Sequence, residues 1–211
     1  MRGETGMDSS AKARCAAMRA GLLAVAMAAC SVNQAYAAAP MTTGGLTSQP
    51  IGHYEFCKSA PAECAIRTRD LGPETMTGAL WKKLVDVNIA INHAIRPMND
   101  FDIHGKDEVW AYPKGVGDCE DYVLEKRRTL NSKGLSLSNL LITVVRKADG
   151  EGHAILTIRT DKGDFVLDNL SDVVRQWNNT GYRFLKRQAS DHTGRWVSIR
   201  TGQAPLVGSV E

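Results

Sequence analysis

The chain has 211 residues, of which 43% are hydrophobic and 23% charged, a composition typical of one globular domain with its own core. The formal net charge of +3 is too small, and the Lys and Arg residues too scattered, to indicate a nucleic-acid-binding protein. Composition and charge therefore exclude a strongly basic binding module, and the evidence for function has to come from local motifs.

Residues 1–37 contain the three parts of a secretory signal peptide. Arginines precede an apolar run over residues 20–29, and a small-x-small cleavage site ends at Ala37. The apolar run is too short to anchor the chain across a bilayer. An Ala-rich helix of the mature fold fits these flanks less well, and Cys30 only loosely resembles a lipoprotein processing site. We therefore expect cleavage after Ala37 and a periplasmic or secreted protein.

Cleavage after Ala37 leaves three cysteines, two of which are close in the sequence. Cys57 and Cys64 close a short loop with Pro61 at its turn. An oxidising compartment favours a disulfide there over two reduced thiols. Cys119 is then left without a partner. An unpaired thiol in an exported protein needs an explanation, and a reactive nucleophile is one.

The remaining chain divides by its hydrophobic pattern. Residues 38–72 are predicted to be a linker and a disulfide-stapled loop, and residues 73–211 a folded domain. Apolar residues recur every three or four positions over residues 74–95, which predicts an amphipathic helix. A long connecting loop is expected over residues 98–118. A second helix is predicted over residues 119–134.

After Gly134 the pattern changes to short runs rich in β-branched residues, which are typical of strands. The predicted strands cover residues 140–147, 153–159, 165–168, 182–186 and 196–199. Residues 161–164 have the composition of a hairpin turn between the second and third of them. Helices followed by an antiparallel sheet indicate an α+β domain.

Cys119 lies where the second helix is predicted to begin. A thiol attacks as the thiolate, and the free N–H groups and dipole at a helix N-terminus lower a thiol pKa. Gly115 and Gly117 allow a tight turn ahead of it, whose backbone could supply donors to an oxyanion. The sequence therefore makes Cys119 the candidate nucleophile.

Three carboxylates surround this thiol, on Asp118, Glu120 and Asp121. Negative charge beside a thiol raises its pKa and so opposes the thiolate. The acids either face water at the helix start, where they complement the dipole, or bind a hard cation such as Ca²⁺, which prefers oxygen ligands. The sequence leaves both alternatives open.

His153 is the strongest candidate base among the five histidines, because it opens a predicted strand and its ring would lie at the end of a sheet. A histidine beside a cysteine, itself oriented by a third group, is the arrangement that activates a thiol. The orienting acid stays open. Strand register across a tight turn favours Ser171 and Asp172, whereas a longer loop or a bulge would bring Asp168 across.

Seven separated motifs extend these candidates into one pattern. They are Val87-Asn88, Asn92, Asp100, Trp110-Ala111-Tyr112-Pro113, Gly117-Asp118-Cys119-Glu120-Asp121-Tyr122, Gly152-His153-Ala154 and Leu167-Asp168-Asn169. In this order they resemble the bacterial transglutaminase-like cysteine proteinases, over residues 80–185. The resemblance implies a papain/transglutaminase-like fold with N-terminal helices packed on the sheet, and makes residues 73–211 the peptidase domain.

The resemblance also assigns roles to residues. It makes Cys119 the nucleophile, His153 the base and Asp168 the orienting acid, gives Trp110 a part in shaping the oxyanion hole, and places Ca²⁺ on Asp118 and Glu120. These two Ca²⁺ ligands are acids that flank the cysteine. The chemistry itself needs no cofactor. Cys57 and Cys64 depart from the family pattern.

The function implied is an exported cysteine endopeptidase that works through an acyl-enzyme. Its implied substrate is a periplasmic or cell-surface protein, such as an adhesin that holds cells in a biofilm, and its implied regulator is a protein of the inner membrane. Two alternatives remain at this stage. The same triad would support transglutaminase-like acyl transfer to an amine, and a protein with this fold could be a non-catalytic periplasmic binding module.

Overall fold

The structure is a computed structural model that describes residues 39–200. The predicted signal peptide over residues 1–37, with Cys30, lies outside the described residues. Within residues 39–200, none of the helices has the length and apolar character needed to cross a membrane.

A seven-stranded sheet forms the centre of the fold. The strands described are β1 (Thr43–Thr47), β2 (Arg96–Pro97), β3 (Val116–Gly117), β4 (Leu140–Arg146), β5 (Gly152–Thr160), β6 (Gly163–Asp168), β7 (Ser171–Gln176), β8 (Arg183–Ala189) and β9 (His192–Ile199). The large sheet has the order β1-β9-β8-β4-β5-β6-β7, and its neighbouring strands are antiparallel. The two-residue strands β2 and β3 pair separately and in parallel.

Two long helices cover the sheet. The helices described are α1 (Ile51–Ser59), α2 (Pro61–Cys64), α3 (Gly78–Ala94), α4 (Asp100–His104) and α5 (Cys119–Ser132). Thr77 caps α3, because its side-chain oxygen accepts a hydrogen bond from the backbone N–H of Leu80 at 3.1 Å. Gly134 follows α5 with a φ of 93°, a conformation that favours glycine and ends a helix.

The apolar residues of the strands alternate between the two faces of the sheet, as the pleat requires. One face packs against α3 and α5 and forms the larger core, which includes Leu84, Tyr122, Leu130, Leu140, Ile142, Leu156, Ile158 and Leu167. The opposite face carries a smaller cluster of Met41, Val145, Ile155, Val166, Phe184 and Ile199. The central strands are therefore buried on both faces.

The predicted α+β fold class is confirmed, as are the two long helices and the five predicted strands. The region predicted as linker and loop over residues 38–72 differs, since it contains β1, α1 and α2. Strand β1 has the sequence Thr-Gly-Gly-Leu-Thr and forms by pairing with β9, a tertiary contact that local propensity does not indicate. Strand β7 and the short helix α4 were also not predicted.

The predicted disulfide between Cys57 and Cys64 is present and joins α1 to α2. His53 lies against it, with Nδ1 3.5 Å from Cys57 Sγ. The same nitrogen accepts a hydrogen bond from Trp196 Nε1 at 3.2 Å, and His53 is only 1% exposed. Burial, helped by the positive charge of Arg127, lowers the pKa of His53 to about 4. The imidazole is therefore neutral in the folded protein near neutral pH.

We expect the free energy of unfolding to fall as the pH is lowered from 6.5 towards 4. Between these values the unfolded chain protonates His53, whose ordinary pKa is 6.5, while the folded protein does not. The unfolded state therefore binds more protons, and this one group removes about 3 kcal/mol across the window. Above pH 6.5 its contribution is constant.

Urea unfolding at a series of pH values measures this slope. His53→Gln keeps an acceptor for Trp196 and should show a shallower dependence on pH than the wild type. His104→Gln changes an exposed histidine and should follow the wild type. Identical slopes for wild type and His53→Gln would contradict the assignment.

Candidate active site

Cys119 is the first residue of α5, as the sequence predicted. Its half-buried thiol donates a hydrogen bond to Glu120 Oε2 at 2.9 Å and accepts one from the backbone N–H of Ala154 at 3.4 Å. The second contact places the start of α5 directly beside the start of β5. Cys119 thus lies where helix and sheet meet.

His153 and Asp168 form a buried pair in the sheet. His153 Nε2 is 2.9 Å from Asp168 Oδ1, and the two residues are 6% and 5% exposed. Tyr182 Oη donates to Asp168 Oδ2 at 2.7 Å, and Leu170 N donates to Oδ1 at 3.0 Å. Burial would raise the pKa of Asp168, but the hydrogen bond and charge of His153 and the other donors hold it below its usual value. The carboxylate is therefore ionised.

The structure brings Asp168, and not Asp172, to His153. The turn between β5 and β6 is tight, with Thr160 opposite Gly163 and no bulge between these strands. In this register Asp168 lies diagonally across from His153, within reach of a long side chain. The expectation that a tight turn at Lys162-Gly163 would favour Asp172 was wrong, because the turn lies one residue earlier, at Asp161-Lys162, and this moves the position opposite His153 back by two residues. Asp172 instead lies 3.0 Å from His93 on α3.

Cys119 and His153 line one pocket of about 420 Å³. Its other lining residues are Pro50, Ile51, Glu108, Trp110, Glu120, Val144, Gly152 and Ala154. The pocket shares Ile51, Glu108 and Trp110 with a neighbouring cavity of about 720 Å³ beside α1. The two cavities are therefore adjacent, and α1, expected to be loop, forms part of the wall at the cysteine.

Trp110 lies in the wall of this pocket, and its Nε1 is buried without a hydrogen-bond partner among the described residues. The indole packs against Gly52 of α1. A Cβ added to Gly52 would lie 2.4 Å from Trp110 Cδ1 and 2.5 Å from Nε1. Only a residue without a side chain permits this approach, so α1 fixes the position of the tryptophan.

A second group of side chains lies on the other side of Cys119. Carboxylate oxygens of Asp100, Asp118 and Glu120 lie within 4.8 Å of one another. Burial, and then the negative charges of the neighbouring acids, raises the pKa of Asp118 and of Glu120. Asp100 and Asp118 each have one buried oxygen without a partner among the described residues. Three crowded carboxylates with free oxygens fit a hard cation such as Ca²⁺.

The sequence predicted Asp118 and Glu120 as Ca²⁺ ligands, but it did not predict Asp100 as one. Asp100 begins α4, far from Cys119 along the chain, and the only earlier signal was its place in the family motif. Asp121, the remaining acid beside the cysteine, turns away and accepts a hydrogen bond from Ala111 N at 2.9 Å. Burial raises its pKa to about 7. Asp121 therefore supports the loop ahead of α5.

The surroundings of Cys119 oppose ionisation of its thiol. Burial raises the pKa of Cys119 well above its usual value, and the negative charge of Glu120 and the hydrogen bond to it act in the same direction. The N–H of Ala154 has the opposite, smaller effect. The conflict seen in the sequence, between a helix N-terminus and the flanking acids, is thus present in the fold. A positive charge at the carboxylates would relieve it.

A family model described as bacterial transglutaminase-like cysteine proteinase matches residues 43–204. Among solved structures, calcium-bound LapG from Legionella pneumophila matches with a TM-score of 0.50 and 23% identity, covering 60% of this chain and 74% of that one. Two further Legionella pneumophila LapG structures, one of them EGTA-treated, match with TM-scores of 0.48 and 24% identity, covering 56% of this chain and 67% of theirs. At these identities the likeness concerns the fold. No curated protein matches the chain.

Proposed function

The chain belongs to the bacterial transglutaminase-like cysteine proteinases, and we propose that it is an exported endopeptidase with Cys119 as nucleophile, His153 as base and Asp168 as orienting acid. The observation that carries this proposal is the buried hydrogen bond between His153 and Asp168, at the pocket that Cys119 and His153 line. A titratable pair of this kind beside an unpaired thiol is what acyl transfer through a thioester requires.

The hydrogen-bond pattern supports one assignment of the two nitrogens of His153. Because Asp168 is ionised and accepts from Nε2, that nitrogen carries the proton and Nδ1 is free to accept the proton of Cys119. The sulfur then attacks the substrate carbonyl, a C–S bond forms, and the C–N bond breaks as His153 returns the proton to the leaving amine. Water, deprotonated by His153, hydrolyses the thioester and regenerates the thiol.

The developing oxyanion needs donors at the wall of the pocket. The N-terminus of α5 presents the backbone N–H of Cys119, which has no partner within the helix. Trp110 Nε1 is the second candidate, since it is a buried donor without a partner among the described residues. One well-placed donor of this kind contributes about 3 kcal/mol to the transition state.

Asp118 and Glu120, with Asp100, are the proposed ligands of Ca²⁺. Their crowded oxygens and the unpartnered atoms of Asp100 and Asp118 support this assignment, as does the calcium-bound form of the LapG neighbour. The ion would supply positive charge that neutralises the acids beside the thiol. Glu120 would then accept less readily from Cys119, and the thiolate would be easier to form.

The proposed location is the periplasm or the cell exterior. The sequence of residues 1–37 supports export, and the disulfide between Cys57 and Cys64 is typical of an oxidising compartment. The proposed substrate is a surface protein such as a biofilm adhesin, under control of an inner-membrane regulator. Both follow from the family resemblance.

The test is a search for new protein termini. Residues 38–211, with Ca²⁺, are added to the detached surface proteins of the producing cells, and new N-termini are labelled and identified by mass spectrometry. We expect discrete cleavage sites that are absent with Cys119→Ala. With excess primary amine present, hydrolysis leaves a free carboxylate, whereas acyl transfer leaves the amine attached. No difference between wild type and Cys119→Ala would indicate a non-catalytic binding module.

A further inference from the structure

Lys126 is a completely buried lysine on the catalytic helix. It lies two turns after Cys119 on α5, and it is 0% exposed. Its Nζ has no hydrogen-bond partner among the described residues and lies 5.8 Å from the centre of the Tyr122 ring. Lysine is almost never fully buried unless it is paired, so its ammonium needs an explanation.

Two asparagines on α3 hold the turn between β6 and β7. The side-chain Nδ2 atoms of Asn88 and Asn92 both donate to the carbonyl oxygen of Ser171, at 2.8 and 3.3 Å. Asn92 Nδ2 also donates to the carbonyl oxygen of Asp168 at 3.0 Å. These bonds fix the backbone on both sides of the turn, and so fix the residue that contacts His153.

The same asparagines leave acceptors free. Asn88 Oδ1 and Asn92 Oδ1 are both buried without partners among the described residues, as is Lys126 Nζ. An ammonium has three N–H donors and no acceptor, and an amide oxygen accepts. Buried polar groups separated by more than a direct hydrogen bond are commonly joined by ordered water. The donors of Lys126 and the oxygens of the asparagines are therefore chemically matched.

Charged groups around the turn also face Lys126. The carboxylates of Asp168 on β6 and Asp172 on β7 are close enough to favour its protonated form. Behind them lie His153 on β5, which contacts Asp168, and His93 on α3, which contacts Asp172. The charges of two carboxylates thus act on one ammonium, and the two free amide oxygens lie on α3, the helix that packs against α5.

We propose that Lys126 is a positioning residue for the triad: its ammonium, joined through water to Asn88 and Asn92, holds the turn that presents Asp168 to His153. The role rests on the proposed function, since it acts through Asp168. Among the described residues, Lys126 is not one of those that line the pocket of Cys119 and His153. Its effect is to keep the carboxylate in the position and the charge state that His153 needs.

The ammonium is available only over part of the pH range. Burial lowers the pKa of Lys126 to about 7, although Asp168 and Asp172 act in the opposite direction. Below that pH the residue is charged and holds the turn. Above it the amine is neutral, and its contribution to the site is lost.

The test compares Lys126→Met with the wild type. The variant keeps the length of the side chain and removes the charge. The rate of Cys119 alkylation by iodoacetamide, in the presence of Ca²⁺, is measured from about pH 6 to about pH 8.5. We expect Cys119 of the wild type to be alkylated about tenfold faster than that of Lys126→Met at the lowest pH. The ratio of the two rates should approach one at the highest pH, where the wild-type lysine is also neutral.

Lys82→Met changes a lysine whose side chain is 76% exposed on α3 and should match the wild type throughout. A ratio for Lys126→Met that does not depend on pH would mean a packing role and would overturn the proposal. Equal rates would also overturn it. A wild-type Cys119 no more reactive than a free cysteine would refute the proposed function itself, and with it the role of Lys126.

Asp172→Asn provides the second variant if Lys126→Met does not fold. Asp172 is exposed, and its loss removes one of the two carboxylates that raise the pKa of Lys126. The pH at which the fast alkylation is lost should therefore move below that of the wild type. An unchanged or higher midpoint would contradict the assignment of that midpoint to Lys126.

Discussion

Replacing His153 with alanine is expected to reduce peptidase turnover by on the order of 10³-fold and to abolish rapid alkylation of Cys119 near neutral pH. The effect is large because burial and Glu120 both raise the pKa of the thiol, so the protein depends on a base to take its proton. No other histidine among the described residues lines the pocket with Cys119. Asp168→Asn should act in the same direction, because the amide can donate to Nε2 and favour the wrong tautomer.

Turnover and the alkylation rate are measured with purified protein at saturating Ca²⁺. His104→Ala is the matched control, since it removes an exposed histidine at the end of α4 and should leave both rates unchanged. The melting temperature of each variant shows whether a loss of rate reflects unfolding. If His153→Ala folds normally and Cys119 remains as reactive as in the wild type, His153 is not the base.

Ca²⁺ at about a hundredfold excess over its Kd is expected to stabilise the protein by about 3 kcal/mol. For a protein of this size the melting temperature should rise by roughly 5 to 10 °C. The physical reason is that the folded protein crowds the oxygens of Asp100, Asp118 and Glu120 together, and a divalent cation removes their repulsion. Alkylation of Cys119 should accelerate in parallel, because Glu120 contacts the thiol.

Melting curves with Ca²⁺ and with a chelator measure the first effect, and iodoacetamide labelling measures the second. Asp100→Asn should lose most of the Ca²⁺-dependent shift, although Asp100 lies far from the cysteine in sequence. Asp102→Asn, on the exposed side of α4, should keep it. If the wild-type protein melts at the same temperature with Ca²⁺ and with the chelator, the proposed Ca²⁺ site is wrong.

Much of the fold follows from local patterns. The spacing of apolar residues predicted α3 and α5 because a helix repeats every 3.6 residues, and β-branched runs predicted β4, β5 and β6. Strand β1 and helix α1 were not predicted, because they lack such local patterns. Their residues have weak local preferences, and each forms by packing on a distant part of the chain, β1 on β9 and Gly52 on Trp110.

The sequence by itself singled out Cys119, because pairing Cys57 with Cys64 left one thiol over, and its motifs indicated His153. Strand register left Asp168 and Asp172 open, and the family resemblance favoured Asp168. The tertiary structure places Asp168 against His153, adds Asp100 to the two acids beside the cysteine, and buries Lys126 completely. The physical reason is the same in each case. A periodic pattern specifies the face on which a residue lies, but the partner across a strand or between helices depends on register and packing, which are properties of the folded chain.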